Sequence, residues 1–193
     1  DHTYGGLQSQ FLIRSTELAA AGLRAGPIGG LSFRIPVVAS QAYANFSISL
    51  LATPNTSMNG GLNSAAFTTV YSNALYTPVA GNNNFIFGAG FVWNGTSNLV
   101  VKICWSNNNN GGIGNYVVVD PTDFISCAYY VANNSNASTV CSATNATGLY
   151  SKRPQFIFSG QVVGCRSTGM ADVATINPQP EDLTIVPQSA IIC

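Results

Sequence analysis

The sequence predicts an all-β fold: a β-sandwich, jelly-roll-like, with one short helix near the N-terminus and an extended C-terminal strand segment. Three observations lead there. Apolar residues recur at every second position in several stretches, clusters of Asn, Gly and Pro separate those stretches, and a helical pattern is confined to residues 15–22. At 193 residues the chain can bury a sizeable core in one large β-domain.

Residues 15–22 (STELAAAG) are the helix. Ser15 or Thr16 can cap it, Glu17 suits its positive end, and Gly22 can close it in a left-handed conformation. Leu18, Ala19 and Leu23 fall on adjacent helical positions and are expected to pack inward over one open end of the sandwich, with Glu17 in water. Strands follow at residues 33–38, then at Phe46, Ile48 and Leu50, which alternate with Asn45, Ser47 and Ser49. Residues 67–71 and 85–91 are further strands. Next, Leu99, Val101, Ile103 and Trp105 alternate with Val100, Lys102 and Cys104. Residues 116–119, 124–131 and 155–158 complete the set. Turns are expected at Pro54-Asn55, at residues 59–61 and 81–84, at Asn94-Gly95 and at residues 107–112. Immunoglobulin-like and jelly-roll topologies are not separable by this pattern.

Composition narrows the function classes. Charged residues make up 7% of the chain against about 25% in an ordinary soluble domain, and the formal net charge is zero. The polar surface is therefore built from Asn, Ser, Thr and Gln. Without a basic stripe, nucleic acid is not expected as a partner. Apolar runs are short and broken by Gly or Ser, so no membrane insertion is expected. The chain opens on Asp1 rather than Met, as expected of a mature or trimmed product. Five cysteines, at 104, 127, 141, 165 and 193, show no metal-binding or redox spacing, and read as disulfide formers in an oxidising compartment, with an odd one left over.

Candidates for catalysis are few. His2, the single histidine, lies at the terminus, where a positioned imidazole is not expected. Glu17, Asp120 and Asp123 do not form an evident facing pair of carboxylates. Asp120 and Asp123 flank Pro121 as turn residues, with oxygen ligation of calcium as the alternative. No enzyme, cofactor or metal site is expected. Trp93, Trp105, Tyr129 and Tyr130 are candidates for a sugar-binding platform, although Trp105 is in phase with the core residues Val101 and Ile103. Asn45, Asn55, Asn94, Asn133, Asn136 and Asn145 each stand in an N-glycosylation sequon.

The stretch 10–33 (QFLIRSTELAAAGLRAGPIGGLSF), with WNGTSNLVV at 93–101, Ile103-Cys104 and RPQF at 153–156, resembles a β-sandwich module of large secreted cell-surface proteins of Bacteroidetes-type bacteria. The likeness covers roughly residues 4–160. It implies adhesin-like proteins exported by a type IX system that serve in adhesion, in surface filaments or as appendages of secreted enzymes. It also implies a disulfide between Cys104 and Cys141, the recurring pair of that module. The remainder resembles a linker entering an immunoglobulin-like repeat.

Two domains are expected, a sandwich at 1–160 and a tail at 161–193. Six basic and four acidic side chains precede Gly160, and one basic and three acidic follow it, giving +2 and −2. In the tail, Asp172, Val173, Ala174, Thr175 and Ile176, and Leu183, Thr184, Ile185 and Val186, alternate like strands but are too few for a core. They are the candidate inter-subunit strand, with folding back on the chain's own body as the alternative. Expected partners are thus further copies of the chain, in a homo-oligomer or homopolymer, and surface glycans. The function expected is a non-catalytic extracellular structural or adhesive protein. The alternative is a carbohydrate-binding or ancillary module of a secreted enzyme.

Overall fold

The computed structural model describes residues 4–38, 41–111 and 114–161, and the backbone of 173–175. Among the described residues, twelve strands and two short helices follow in chain order. The first half holds β1 (Gly6–Ile13), α1 (Ser15–Ala20), β2 (Gly26–Ile35), β3 (Tyr43–Thr53), β4 (Thr68–Tyr76) and β5 (Gly81–Trp93). The second holds β6 (Asn98–Ser106), β7 (Val119–Pro121), β8 (Cys127–Ala132), α2 (Ala137–Cys141), β9 (Gly148–Tyr150), β10 (Lys152–Pro154), β11 (Ile157–Ser159) and β12 (Val173–Thr175).

They form an all-β sandwich. A six-stranded sheet in the order β4-β3-β6-β1-β8-β9 faces a four-stranded sheet in the order β12-β11-β2-β5, and β7 pairs with β10. Every named pairing is antiparallel. The expected alternation places Leu99, Val101, Ile103 and Trp105 of β6, with Phe46, Ile48 and Leu50 of β3, on the inner face. They meet Ile28, Leu31, Phe33, Phe85 and Phe158 of the smaller sheet. Burial of these side chains is the main stabilising term, at roughly 1.5–3 kcal/mol for each large aliphatic.

The outer face of the six-stranded sheet is also covered. Leu12, Val100 and Ala128 lie under Met58 and Leu62 of the loop between β3 and β4. Gly6 admits α2 there: a Cβ on it would stand 2.9 Å from a methyl of Val140. Strand β1 is thus buried on both faces, and its amides pair inside: Gln8 Nε2 donates to the Ala143 carbonyl (2.9 Å), and Gln10 exchanges two bonds with the Asn63 backbone.

Helix α1 covers an end of the core as expected, with Leu18 and Leu23 buried. Its closure also agrees: Gly22 has φ +86°, and the Leu23 N–H returns to the Leu18 carbonyl. Three details differ. Arg14, not Ser15 or Thr16, is the N-cap residue, and its N–H donates to the Glu17 carboxylate (2.7 Å). Ala19 is exposed. Glu17 is not in water, because Arg153, brought alongside by β10, takes its other oxygen. Among the strands, 124–131 begins only at Cys127, and 116–119 is reduced to a bridge at Tyr116 before β7.

The tail continues the body's own sheet at one point. Val173, Ala174 and Thr175 pair antiparallel with Ser159, Phe158 and Ile157 of the same chain. This stretch therefore follows the fold-back alternative rather than standing clear of its body. Asp172, Ile176, Leu183, Thr184, Ile185 and Val186 lie outside the described residues.

Candidate functional site

The flank between β4 and β5 is the most distinctive surface. Strand β4 is an edge of the larger sheet and β5 an edge of the smaller one. The chain turns from one to the other, and Asn83 fastens the turn. Its Oδ1 accepts the Tyr76 hydroxyl and the Val79 N–H (3.0 Å), and its Nδ2 donates to the carbonyls of Val79 (2.8 Å) and Gly81 (3.0 Å). The expected turn at 81–84 is therefore strand, with Asn83 buried among partners. Behind it, Phe46, Tyr76 and Phe85 pack ring on ring, with centroids 4.6–5.5 Å apart. Burial pushes the Tyr76 phenol well above its ordinary value, and the nearby phenols of Tyr71 and Tyr43 add to this.

Away from the turn each edge carries a bulge. In β4 the register shifts at Val70, between the pairs Ile48–Tyr71 and Ser49–Thr69. In β5 it shifts between Phe91 and Ile86, so that residues 87–90 stand outside the ladder with β2. A groove of about 410 Å³ lies between the two bulges, bounded by Thr69, Tyr71 and Ser72 on one side and Ile86, Gly88 and Ala89 on the other. Neither strand contains a Lys, Arg, Asp, Glu or Pro. Ile86 is 83% exposed. Edge strands are normally blunted by charge, by proline, by bulges or by being short. Here only the bulges are present.

A second cleft, of about 430 Å³, lies at the start of α1 between Arg14, Thr53, Ser97 and Asn98. It offers hydroxyls and amides, and its Arg14 is ion-paired with Asp123 (3.6 Å). Asp120 instead accepts from Gln155 Nε2 (2.8 Å), so the structure gives the two carboxylates separate partners. No group of three or more His, Cys, Asp or Glu side chains placed to hold a metal occurs among the described residues. Likewise, none of their helices is long and apolar enough to cross a membrane. His2 lies outside the described residues.

The expected aromatic platform does not assemble. Trp93 is buried and donates its indole N–H to the Ser97 carbonyl (2.8 Å). Trp105 is buried against the Tyr43 ring, at 4.3 Å. Tyr129 and Tyr130 do lie on opposite faces of β8, packed against different clusters. Tyr129 stacks on Tyr150 at 5.1 Å, a pairing that sequence spacing did not suggest.

Cys104 and Cys141 form a disulfide, with Cα atoms 5.7 Å apart. It staples α2 to the outer face of β6, and Lys102 Nζ donates beside it to the Cys141 carbonyl (2.8 Å). The Asn-rich loop after β6 is tied down as well: Asn107 donates its N–H to the Gly5 carbonyl, and Asn134 donates to the Asn109 carbonyl. Cys127 is a buried free thiol, while Cys165 and Cys193 lie outside the described residues. All six sequon residues, Asn45, Asn55, Asn94, Asn133, Asn136 and Asn145, are exposed. Asn136 caps α2 by accepting the Thr139 N–H.

No protein-family model, no curated protein and no solved structure matches the chain.

Proposed function

We propose that the chain is a non-catalytic extracellular structural or adhesive protein that assembles into a surface filament by strand pairing between copies. The observation that carries this is the flank of two adjacent edge strands, β4 and β5, without a charged residue or a proline in either. Unpaired N–H and C=O groups on such edges are ready acceptors for a strand from another chain. The Cys104–Cys141 disulfide supports an oxidising, extracellular location. The resemblance to secreted cell-surface modules points the same way.

Sedimentation velocity and negative-stain microscopy of the native protein test this reading. Linear polymers that grow with concentration are expected. A monomer at every concentration and ionic strength counts against it.

A second reading, a carbohydrate-binding or ancillary module, is favoured by one feature. Tyr150 is 46% exposed and stacked on Tyr129, with Lys152 Nζ 5.0 Å from its ring. Glycan-array binding by the monomer that disappears in Tyr150→Ala would support this reading instead.

A further inference from the structure

The groove between β4 and β5 lies at one edge of the four-stranded sheet, and Thr175, the last described residue, lies at the opposite edge. The strand order β12-β11-β2-β5 puts Thr175 on the β12 side and the groove on the β5 side. Residues 176–193 follow Thr175 in the sequence. The seven residues between Thr175 and Leu183 span roughly 25 Å fully extended, whereas a four-stranded sheet is only about 15 Å across.

Within that stretch one segment suits the groove. Leu183, Thr184, Ile185 and Val186 carry no charge and alternate, so Leu183 and Ile185 share one face of an extended strand. Glu181 and Asp182 precede the segment and Pro187 follows it, which limits pairing to these few residues. The groove is matched in kind: uncharged, short, and bounded by the exposed Ile86 and the small Gly88 and Ala89. A volume near 410 Å³ accommodates a few side chains rather than a folded surface.

Opposite edges also favour a second copy as the acceptor. A tail that leaves on the β12 side meets the β5 side of the next copy by simple head-to-tail stacking, and such a contact propagates as an open filament. To fill its own groove the tail would have to double back across a face of the sandwich. Pro178 and Pro180, between Thr175 and the segment, favour an extended course instead.

We infer that the groove between β4 and β5 receives residues 183–186 of a second copy as an added strand, with Leu183 and Ile185 directed toward Ile86. This rests on the filament reading and gives it an acceptor and a donor.

The test uses the full chain. Ile86→Lys changes a side chain that is already in water, so unchanged melting is expected together with loss of polymers in sedimentation velocity. Ile185→Lys is expected to lose them equally. Gly88→Cys and Ile185→Cys, made on separate chains and mixed, are expected to join the two chains by a disulfide that peptide mapping locates. Gly88 tolerates the change because a Cβ there meets nothing within 4 Å. If Ile86→Lys polymerises like the unsubstituted chain, the groove is not the acceptor and the inference fails, while the filament reading stands. If the unsubstituted chain is monomeric and the two cysteines placed on one chain link to each other, the tail fills its own groove and both fail.

Discussion

Replacing Glu17 by Ala tests how the N-terminal helix is held to the end of the sandwich. Arg153 is almost wholly buried, its side chain 2% exposed. Its Nη1 donates to the Leu12 carbonyl (3.0 Å) and its Nη2 to Glu17 Oε1 (2.5 Å). The other Glu17 oxygen accepts the Arg14 N–H at the start of α1. One carboxylate therefore neutralises a buried cation and satisfies a helix-terminal donor. Removing one partner of a buried pair costs about 3–5 kcal/mol, because the other charge stays buried and uncompensated. Glu17 keeps 22% of its side chain exposed, so water can enter and the lower end, about 3 kcal/mol, applies. The vacated helix start adds on the order of 1 kcal/mol. At about 2–4 °C per kcal/mol for a domain of this size, Glu17→Ala should lower Tm by about 8–16 °C. Urea and thermal unfolding followed by circular dichroism measure it. In an Arg153→Met background the buried charge is gone, and Glu17→Ala should then cost only about 1 kcal/mol. Equal costs in the two backgrounds would refute the reasoning.

Leu18→Ala should cost roughly 2–5 kcal/mol, since Leu18 is fully buried, and a near-neutral Tm would show that α1 does not close the core. Replacing Cys104 and Cys141 together by Ala opens a 37-residue loop and should cost about 4 kcal/mol in the chain-entropy model, read from the urea midpoint. Cys127 should resist alkylation at pH 8 until the protein unfolds: burial pushes its thiol up to about 12 from an ordinary value of 9.0. A raised folded pKa favours the neutral thiol, so this contribution to stability is complete below about pH 9 and lost as pH rises toward 12. Labelling of Cys127 in the native protein at pH 8, found by peptide mapping, would contradict its burial.

What the sequence disclosed depended on whether the relevant contacts were periodic. Strand β6 was legible because Leu99, Val101, Ile103 and Trp105 face the core while Lys102 and Cys104 do not. Strand β1 gave no such signal from its own residues. Its outward Gln8 and Gln10 look like surface residues, yet the loop between β3 and β4 and the segment after α2 bury and pair them. Asn83 sits in a run that reads as a turn, and only its four bonds show why it belongs to a strand. Glu17 was expected in water because its partner Arg153 is 136 residues away. The groove was illegible for a related reason. It exists because two edges of different sheets adjoin, and strand order is not written in local pattern.

The four edges of the two larger sheets also differ in a way that bears on assembly. Strand β9 spans three residues, with Lys152 two residues beyond its end, and short edges near a charge are poor templates. Strand β12 also spans three described residues. Strands β4 and β5 span nine and thirteen residues without a charge. Elsewhere this protein covers apolar surface at length: a loop, a helix and a disulfide close the outer face of the six-stranded sheet. Among the described residues, the long, neutral edges lie on one flank only. An edge of that kind is an aggregation hazard unless a specific strand occupies it, and the bulges restrict which strand fits. Under the proposed function, specific occupation by another copy would remove the hazard and build a polymer in one contact.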